Sequence, residues 1–573
     1  MLACTIFEDE HLLVVNKPAG MNTHAPGPFA GEGIYDWLRH REPRWATLAI
    51  IHRLDKETSG VIVFGKTTLA NRSLTNQFTS RLVRKKYLLL TDRPMKRDEL
   101  VVKSKIARAG ERYVTGPQGE PAETRFKYLG APASRRPVTK LPAETPSLPA
   151  ALSRYHVIEA EPLTGRTHQI RVHAAEAGFP ILGDALYGGA AFHRVCLHAA
   201  EITFKHPLTD EALTFRAPPD FEADTRAALR SALVDARETN AFRLVHGASD
   251  GHPGWYVDRL GEYLLSQSEA PLTHEQEQRL HALGTPGTRS ALAHDKSKPA
   301  LAAPIRGIYH KILSRHIRGA NATDASPQLV SGEAAPERFT VRENGIQFEL
   351  SFTEGYSVGL FLDQRDNRRR FLTGHIAAEF PLFSEQRLAS KKAGARQDAC
   401  PAVLNVFAYT CGFSVCAAKA GSKPTSLDLS KKYLEWGRRN FARNGLDPAE
   451  HDFIFGDAFD WLRRLAKKGR AFDAIVLDPP TFSQSKERGV FRVEKNYGEL
   501  VSAALPLLKP AGVLLASANA AAWPPEKFLA IVENSVRAAK RKILQQHYAP
   551  QPPDFPVSRA EPAYLKTVWL RVS

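Results

Sequence analysis

Residues 403–414, VLNVFAYTCGFS, begin as an apolar strand, pass through a turn of small residues and enter a helix. Four more short apolar runs follow, each ending in polar or small residues: TSLDLS (425–430), DFIFGDA (452–458), DAIVLDPP (473–480) and GVLLASAN (512–519). Segments with a helical pattern separate these runs. This alternation of strands and helices predicts an open parallel sheet wound in the Rossmann manner.

The strand ends of this sheet carry residues suited to a nucleotide-like cofactor. A doubly wound sheet binds its ligand where the first strand turns into its helix, which here places Phe407, Tyr409 and Gly412 at the ligand. Asp428 ends the second strand and could accept hydrogen bonds from both ribose hydroxyls, and Asp457 could reach an adenine amino group. Each residue alone is compatible with an ordinary turn. Because the turn lacks a GxGxxG pattern, a dehydrogenase is the least favoured interpretation.

The fourth strand ends in Asp478-Pro479-Pro480-Thr481-Phe482. We assign Asp478 to the cofactor site, and Pro479, Pro480 and Phe482 to the base that would receive a group from the cofactor. The order and spacing of all these strand ends predict a class I methyltransferase that uses S-adenosylmethionine (SAM).

Different chemistry is indicated near the start of the chain. The segment HRLDKETSG (52–60) places Asp55 between basic residues, an arrangement that alone is equally compatible with a surface ion pair. The segment PLTGRTHQIRVH (162–173) is more polar than a buried strand requires, and GDALYG (183–188) follows it closely. Together these segments indicate a polar site rather than isolated surface charges.

These segments, with VVNKPAGM (14–21) and LHAAEITFKHP (197–207), resemble the motifs of the RluA-type pseudouridine synthases. The resemblance implies a mixed α/β catalytic domain around a central antiparallel sheet. It also implies that Asp55 is the catalytic aspartate, acting as nucleophile or as base on the sugar. Tyr87 would stack on the uracil, its alternative being a core tyrosine. Arg166 would keep Asp55 ionised.

The same resemblance implies an RNA substrate whose uridine leaves its stack, because C1′ and C5 must both be reached. The isomerisation requires no cofactor. Arg53, His168, Arg171 and Lys17 are more simply explained as phosphate contacts or scaffold than as chemistry.

The C-terminal part has a resemblance of its own. The segments EGYSVGLFLDQRDNR (354–368), NVFAYTCGFS (405–414), SLDLSKKYLEWGRRNF (426–441) and DPPTFSQSK (478–486) resemble the 23S rRNA large-subunit methyltransferases. The segment NAFRLVHGASDGHPGWYVDRLGEY (240–263) is similar to the small central domain of that family. One departure is Cys411, where the family usually has glycine; we expect it to be tolerated, although the thiol could crowd the methionine moiety of SAM.

The positions of the cysteines limit which atom of the base can be methylated. Cytosine C5 needs a thiolate that adds at C6, and the cytosine-C5 members of this family carry a cysteine after the strand that follows DPP. Here that strand ends in Ser517-Ala518-Asn519, while Cys411 and Cys416 lie in the cofactor turn and its helix, and Cys400 precedes the first strand. We therefore expect methylation at guanine N7, with an exocyclic amine or cytosine C5 as the alternatives.

The fold class we expect is multidomain, with α/β and α+β parts. The synthase domain spans residues 1–217, with a Pro- and Ser-rich insertion at 130–148. A linker helix at 218–237 leads to a small α+β central domain at 238–335. A Rossmann-like class I methyltransferase domain then occupies 336–573.

The charge of the chain favours a polyanionic partner. The formal net charge is +17, and cationic side chains displace counterions from phosphates. With the two resemblances this indicates RNA, and 23S rRNA in particular. No CxxC pair, signal segment or long apolar stretch is present, so we expect no metal, no membrane contact and a cytoplasmic location.

Two other functions stay open from the sequence. The chain could be a methyltransferase whose degenerate synthase domain only binds RNA, or a ribosome-assembly factor without catalysis. The intact Asp55, Tyr87 and Arg166 count against the first, and the three strand-end aspartates count against the second.

Overall fold

The computed structural model describes residues 2–130, 152–284, 303–313, 326–354, 357–383, 400–485 and 489–573. Apart from Gly130, the expected insertion at 130–148 lies outside the described residues. Within these ranges no helix combines the length and apolar character needed to cross a membrane.

The described residues up to Arg216 build one eleven-stranded sheet with helices packed on it. The strands are β1 (Thr5–Glu8), β2 (Leu12–Lys17), β3 (Ala49–Ile50), β4 (Ser59–Gly65), β5 (Arg84–Thr91), β6 (Glu99–Ala109), β7 (Arg112–Thr115), β8 (Glu120–Gly130), β9 (His156–Pro162), β10 (Leu197–Lys205) and β11 (Ala212–Arg216). The helices are α1 (Ile34–Arg41), α2 (Thr68–Thr79) and α3 (Gln169–Glu176).

This sheet runs in the order β1-β2-β4-β10-β5-β9-β8-β6-β7, with β3 on β4 and β11 on β10. Its pairs are antiparallel except for β4 with β10, which are parallel. Strand β4 is buried along its whole length, as its apolar sequence SGVIVFG requires when both faces are covered. The expected mixed α/β domain with a central antiparallel sheet is therefore confirmed.

A helix and a small sheet follow. Helix α4 (Thr225–Leu233) begins at Asp224, whose carboxylate accepts hydrogen bonds from the backbone N–H groups of Arg226 and Ala227. The five-stranded sheet runs in chain order: β12 (Ala241–His246), β13 (Trp255–Leu260), β14 (Tyr263–Ser268), β15 (Gly307–Ile312) and β16 (Gln328–Gly332), with α5 (His274–Gly284) after β14.

The C-terminal part begins with a hairpin, β17 (Phe339–Glu343) and β18 (Ile346–Leu350), then α6 (Arg365–Thr373), β19 (His375–Ala377) and β20 (Phe380–Pro381). The main elements are β21 (Ala402–Val406), α7 (Gly412–Lys419), β22 (Lys423–Asp428), α8 (Lys431–Arg443), β23 (Asp452–Phe455), α9 (Ala458–Lys467), β24 (Phe472–Leu477), β25 (Phe482–Ser485), β26 (Gly489–Arg492), α10 (Val493–Ala504), β27 (Leu508–Asn519), α11 (Pro525–Ala538), β28 (Ile543–Tyr548) and β29 (Leu565–Val572).

The seven-stranded sheet of this part has the order β23-β22-β21-β24-β27-β29-β28. Strands β21, β22, β23, β24 and β27 are parallel, and β29 is antiparallel to both of its neighbours. The order reverses at β21, so the end of β21 is the place where a doubly wound sheet binds its ligand. The predicted Rossmann-like fold is confirmed.

The central sheet and the methyltransferase sheet share one hydrophobic core. Tyr263 and Tyr309 from the central strands pack against Phe339 and Phe352, within the same buried cluster as Phe413 of α7. Helix α4 instead buries Leu233 in the core of the first sheet. The expected boundaries at residues 217, 237 and 335 fall between secondary-structure elements, and they stay predictions.

Candidate active sites

The loop that carries Asp55 connects β3 to β4 and is held by the segment that follows β2. Thr23 Oγ1 donates to the Leu54 carbonyl at 2.9 Å and accepts from the Leu54 N–H at 3.1 Å. Lys17 is fully buried, and its ammonium donates to the carbonyls of Pro18 and Met21 and, at 3.3 Å, to that of Lys56. The VVNKPAGM segment therefore fixes the backbone on both sides of Asp55.

The Asp55 carboxylate faces two basic groups and remains partly open, with 24% of its side chain exposed. Its Oδ2 lies 3.9 Å from Arg171 Nη1 and 4.0 Å from His168 Nε2. Burial raises the pKa of Asp55, and the charges of His168 and Arg171 act against that rise. This is an accessible carboxylate whose ionised form depends on its neighbours.

Arg171 is itself oriented by a buried carboxylate. Its Nε donates to Asp184 Oδ2 at 2.7 Å and its Nη2 to Asp184 Oδ1 at 2.8 Å, which leaves Nη1 directed at Asp55. The GDALYG segment supplies Asp184, whose role the sequence analysis did not identify. A buried carboxylate paired in a bidentate manner holds a guanidinium in one geometry.

Arg166 does not lie at Asp55, and this corrects the expected ion pair. Its guanidinium pairs with Glu120 and its Nε donates to the Pro121 carbonyl at 3.1 Å, at the start of β8. Arg166 precedes α3 and points outward, whereas Arg171 lies inside α3 on the side that faces the Asp55 loop. The cation that can stabilise the Asp55 carboxylate is therefore that of Arg171.

The other residues expected at the synthase site are placed as follows. Tyr87 is buried on β5, and burial and the charge of Asp55 raise the pKa of its hydroxyl. His168 has a left-handed φ of 56° and its Nδ1 is 2.8 Å from the hydroxyl of Tyr187. Arg53 is exposed beside the loop, as a phosphate contact would require.

The turn after β21 has an unusual backbone. Phe407, Tyr409 and Cys411 have φ values of 61°, 49° and 64°, although none of them is glycine. Non-glycine residues pay a conformational cost in this region, and such residues cluster at ligand sites. The turn ends at Gly412, the first residue of α7, so the helix N-terminus also faces the site.

Asp428 and Asp457 lie at the two strand ends beside this turn. Asp428 accepts a hydrogen bond from the Tyr409 N–H through Oδ2 and from the Ser430 N–H through Oδ1, both at 2.8 Å. Each carboxylate oxygen keeps capacity for a further donor such as a ribose hydroxyl. Asp457 caps α9, because its Oδ1 accepts from the Phe459 and Asp460 N–H groups.

The thiol of Cys411 points away from the ligand side of the turn. A side-chain carbon added at Gly437 of α8 would meet Cys411 Sγ at 2.3 Å, so the thiol fills the space that Gly437 leaves open. The cysteine that replaces the usual glycine is thus accommodated by the helix. The expectation that Cys411 could crowd the methionine moiety is not supported by this geometry.

Asp478 follows β24 and joins a buried polar network. Its Oδ2 accepts a hydrogen bond from Gln364 Nε2 at 3.0 Å, and Gln364 Nε2 also donates to Ser517 Oγ at 2.8 Å. Burial and the negative charge of Asp363 raise the pKa of Asp478 to about 7, although hydrogen bonds from Ser517 and Gln364 lower it. The network was not found from the sequence, although Gln364 belongs to the GLFLDQRDNR segment.

The residues expected at the target base lie after Asp478. Pro479 is buried and Pro480 is exposed, and Phe482 begins the hairpin β25–β26 with 42% of its surface exposed. The guanidinium of Arg492, at the end of β26, lies 5.4 Å from the centre of the Phe482 ring. One face of the ring is thus covered by a cation, as in cation–π pairs at nucleic-acid sites.

The geometry fits SAM. The turn, the α7 N-terminus and the open acceptor capacity of Asp428 form the kind of cradle that a nucleoside cofactor needs. Bound SAM supplies a methyl group on a positively charged sulfur. This chain's own residues would hold the ribose at Asp428, the adenine near Asp457 and the methionine end near Asp478.

Comparison with known proteins matches both parts. The RNA pseudouridylate synthase family matches residues 11–176, and the S-adenosylmethionine-dependent methyltransferase family matches residues 374–571. A ribosomal RNA large subunit methyltransferase of Deinococcus radiodurans is 33% identical over 355 residues, covering 61% of this chain and 76% of the relative. Ribosomal RNA large subunit methyltransferase I of Aeromonas salmonicida is 30% identical, covering 60% of this chain and 77% of the relative.

The N-terminal part has a relative of its own. Ribosomal large subunit pseudouridine synthase C of Yersinia pestis is 36% identical over 231 residues, covering 38% of this chain and 66% of the relative. The chain thus spans slightly less than two thirds of that protein. The predicted pairing of a synthase with a SAM-dependent methyltransferase is confirmed, and the chain belongs to the ribosomal RNA large subunit methyltransferases, with an RluA-type pseudouridine synthase domain ahead of the methyltransferase domain.

Proposed function

We propose that this protein modifies one RNA, the 23S rRNA of the large ribosomal subunit, in two ways. The synthase domain converts a uridine to pseudouridine with Asp55, and the methyltransferase domain methylates a nearby base with SAM. The observation that carries the first activity is the partly exposed Asp55 carboxylate that faces Arg171 and His168. The named relatives act on large-subunit rRNA, which supports the choice of substrate.

The isomerisation breaks the bond between N1 of uracil and C1′ of ribose and forms a bond between C5 and C1′. Asp55 acts in its ionised form, as nucleophile or as base on the sugar. Arg171, oriented by Asp184, stabilises that form, and Tyr87 contacts the uracil while it turns over. The nucleotide must leave its stack to reach Asp55, which costs a few kcal/mol (about 2–4) for a paired base and less in a loop.

For the methyl acceptor we propose guanine N7, which carries a lone pair and needs only alignment with the sulfonium. Cytosine C5 would require a thiolate near the transferred methyl group. Cys411 and Cys416 are buried in the cofactor turn and in α7, and burial raises the pKa of the Cys411 thiol to about 12. Neither thiol is available at the β27 end, where Ser517, Ala518 and Asn519 stand.

A second candidate is an exocyclic amine of the base. The specific observation that favours it is Asp478, a carboxylate next to the Pro479-Pro480 backbone whose pKa is raised to about 7. Such a group can accept a hydrogen bond from an amine and later take its proton. Methylation at N7 involves no proton transfer, so the two candidates differ in their dependence on pH.

Joining both domains in one chain makes the second binding event intramolecular. If both targets lie within reach, the effective concentration of the second site is about millimolar for a short linker. The net charge of +17 adds attraction to RNA for both sites. We therefore place both modifications in one neighbourhood of the rRNA, in the cytoplasm where ribosomes assemble.

Nucleoside mass spectrometry of unmodified 23S rRNA treated with the purified protein tests these proposals. Pseudouridine should form with and without SAM, and 7-methylguanosine only with SAM. An N-methylated guanosine or adenosine would replace the N7 proposal by the exocyclic one, and 5-methylcytidine would contradict both. Absence of pseudouridine would favour a degenerate synthase domain, and absence of both products with no SAM binding would favour an assembly factor.

A further inference from the structure

We propose that Gln364 is a positioning residue of the methyltransferase site. It holds the Asp478 carboxylate in its charged form and oriented towards the sulfonium end of SAM. This inference rests on the placement of the methionine end of SAM beside Asp478 proposed above.

Gln364 is 2% exposed and uses both hydrogens of its amide nitrogen on the site. Its Nε2 donates to Asp478 Oδ2 at 3.0 Å and to Ser517 Oγ at 2.8 Å. An amide nitrogen can only donate. Asp478 must therefore present Oδ2 as an acceptor to Gln364, and Ser517 also donates to this carboxylate.

Hydrogen bonds through Asn367 and Trp569 fix the orientation of the Gln364 amide. Its Oε1 accepts from Asn367 Nδ2 at 2.7 Å, and Asn367 Oδ1 accepts from Trp569 Nε1 at 3.1 Å. An indole nitrogen only donates, so Asn367 must present its oxygen to Trp569 and its nitrogen to Gln364. The same argument then requires Gln364 to present its nitrogen to Asp478, and a flipped amide would break the whole chain.

The charge of Asp478 needs this support. Burial and the neighbouring Asp363 raise the pKa of Asp478 to about 7, and donors such as Gln364 and Ser517 hold it from rising further. Removing the Gln364 donor would shift this carboxyl towards its protonated form. A protonated carboxyl carries no negative charge to attract a sulfonium. Binding of SAM should therefore weaken, whereas binding of S-adenosylhomocysteine, which lacks the sulfonium charge, should not.

The test is calorimetric binding of SAM and of S-adenosylhomocysteine to the full chain at about pH 6.5, 7.5 and 9. The variants are Gln364→Met, which removes the donor at similar volume, and Gln546→Met, an exposed glutamine on β28 that serves as matched control. We expect Gln364→Met to weaken SAM binding about tenfold at neutral pH, with recovery towards pH 9 and little effect on S-adenosylhomocysteine. Gln546→Met should bind as the wild type does.

Equal weakening of both ligands at every pH would show a merely structural role and overturn the proposal, as would unchanged binding of both. Gln364→Glu is the second variant, since it keeps the shape but sets a second carboxyl against Asp478. It should make SAM binding depend on pH more steeply, and a profile identical to the wild type would also overturn the proposal.

Asp478→Asn separates this inference from the placement of the cofactor. If SAM binding to Asp478→Asn is unchanged, the cofactor placement fails. If Asp478→Asn weakens SAM binding and Gln364→Met does not, only the role of Gln364 fails. Pseudouridine formation by each variant reports that the rest of the chain has folded.

Discussion

The Asp55 carboxylate combines partial burial with access to a nucleotide, and this makes it the first side chain to test. Asp55→Asn keeps the shape and removes the nucleophile or base, so we expect pseudouridine formation to fall by on the order of 1000-fold or more. Methylation of the same rRNA should continue, since its residues lie on other strands. Nucleoside mass spectrometry measures both products in one sample, and full pseudouridine formation by this variant would show that Asp55 is not the catalytic group.

The two arginines of the PLTGRTHQIRVH segment should differ in their effect on pH dependence. Burial raises the pKa of Asp55 and the charge of Arg171 opposes that rise, so Arg171→Met should raise the pKa further. The reaction needs the ionised carboxylate, so the rate is lost as pH falls through this pKa, and the acid limb of the profile should move to higher pH. Arg166→Met should leave the limb in place, because its guanidinium pairs with Glu120.

The measurement is the single-turnover rate of pseudouridine formation against pH for both variants. Because Arg171→Met also leaves the buried Asp184 without its partner, thermal unfolding should be followed in parallel. An acid limb that moves with Arg166→Met and not with Arg171→Met would contradict the assignment of Arg171 as the cation that stabilises the Asp55 carboxylate.

The motifs predicted Asp55 and Tyr87 as partners, and that pairing stays a prediction. They assigned the cation beside Asp55 to Arg166 rather than to Arg171, the other arginine of the same segment, and this was wrong. What separates them is where α3 begins: Arg166 precedes the helix, Arg171 lies inside it, and His168 between them has a left-handed φ of 56°. Gln364 was overlooked because nothing in its local sequence shows a contact with a strand 153 residues further along the chain.

At the scale of secondary-structure elements, the backbone of the turn between β21 and α7 is stabilised by contacts from neighbouring segments. Its three left-handed residues cost of order 1–3 kcal/mol each. Contacts from outside the turn oppose that cost: Asp428 accepts from the Tyr409 N–H, and Thr410 Oγ1 donates to the Gly359 carbonyl at 2.6 Å. The apolar runs predicted the strands on either side, but the strained backbone depends on these distant contacts and was not predictable from the segment itself.

The contact between this turn and α8 gives a double-mutant prediction. Gly437→Ala alone places a carbon 2.3 Å from Cys411 Sγ, so we expect it to lower the free energy of unfolding by about 1–3 kcal/mol. In a Cys411→Gly background the space is free and alanine is the better helix former, so Gly437→Ala should then stabilise by up to about 1 kcal/mol. Calorimetric unfolding of the four variants measures the coupling. Additive effects would mean that Cys411 and Gly437 do not share this space.

The β25–β26 hairpin shows the limit of strand prediction. The DPPTFSQSK motif marked the site, but the Ser- and Gln-rich residues after Phe482 lack the alternation that indicates a strand. The hairpin forms because β25 and β26 pair with each other at four positions, from Phe482 to Ser485 of β25. The exposure of Phe482 on this hairpin could therefore not be predicted from the sequence.

Across the whole chain, the synthase part contacts the methyltransferase part through α1. Arg369 of α6 pairs with Glu42, and His375 Nε2 is 2.8 Å from the Arg39 carbonyl. Glu32, His40 and His547 also meet here, close enough to hold a metal ion. The guanidinium of Arg370 lies 3.4 Å from His547 Nε2, and a cation in that position disfavours a divalent metal. Composition and motifs predicted both domains, but no local pattern predicted the contact between them.

A second connection between the parts is made by Arg230 of α4, which is 3% exposed. Its Nη2 donates to Asp250 Oδ2 in the central domain at 2.5 Å and to the Asp554 carbonyl in the methyltransferase domain at 3.2 Å. Asp554 in turn binds Arg365, the neighbour of Gln364, through two hydrogen bonds. One buried guanidinium thus links the helix after the synthase domain to the segment that carries the methyltransferase network.

We therefore expect Arg230→Met to lower the free energy of unfolding of the central and methyltransferase domains by about 3 kcal/mol, because it leaves a buried carboxylate with weaker partners. Arg226→Met is the matched control: its side chain is 45% exposed and its Nε lies 3.4 Å from Asp250, so its loss should cost about 1 kcal/mol or less. Differential scanning calorimetry, with ligand-free and SAM-bound protein, resolves the transition that SAM shifts. If both variants move that transition equally, the link through Arg230 is no stronger than an ordinary surface contact, and the two enzymes are held together by the chain and by the contacts of α1.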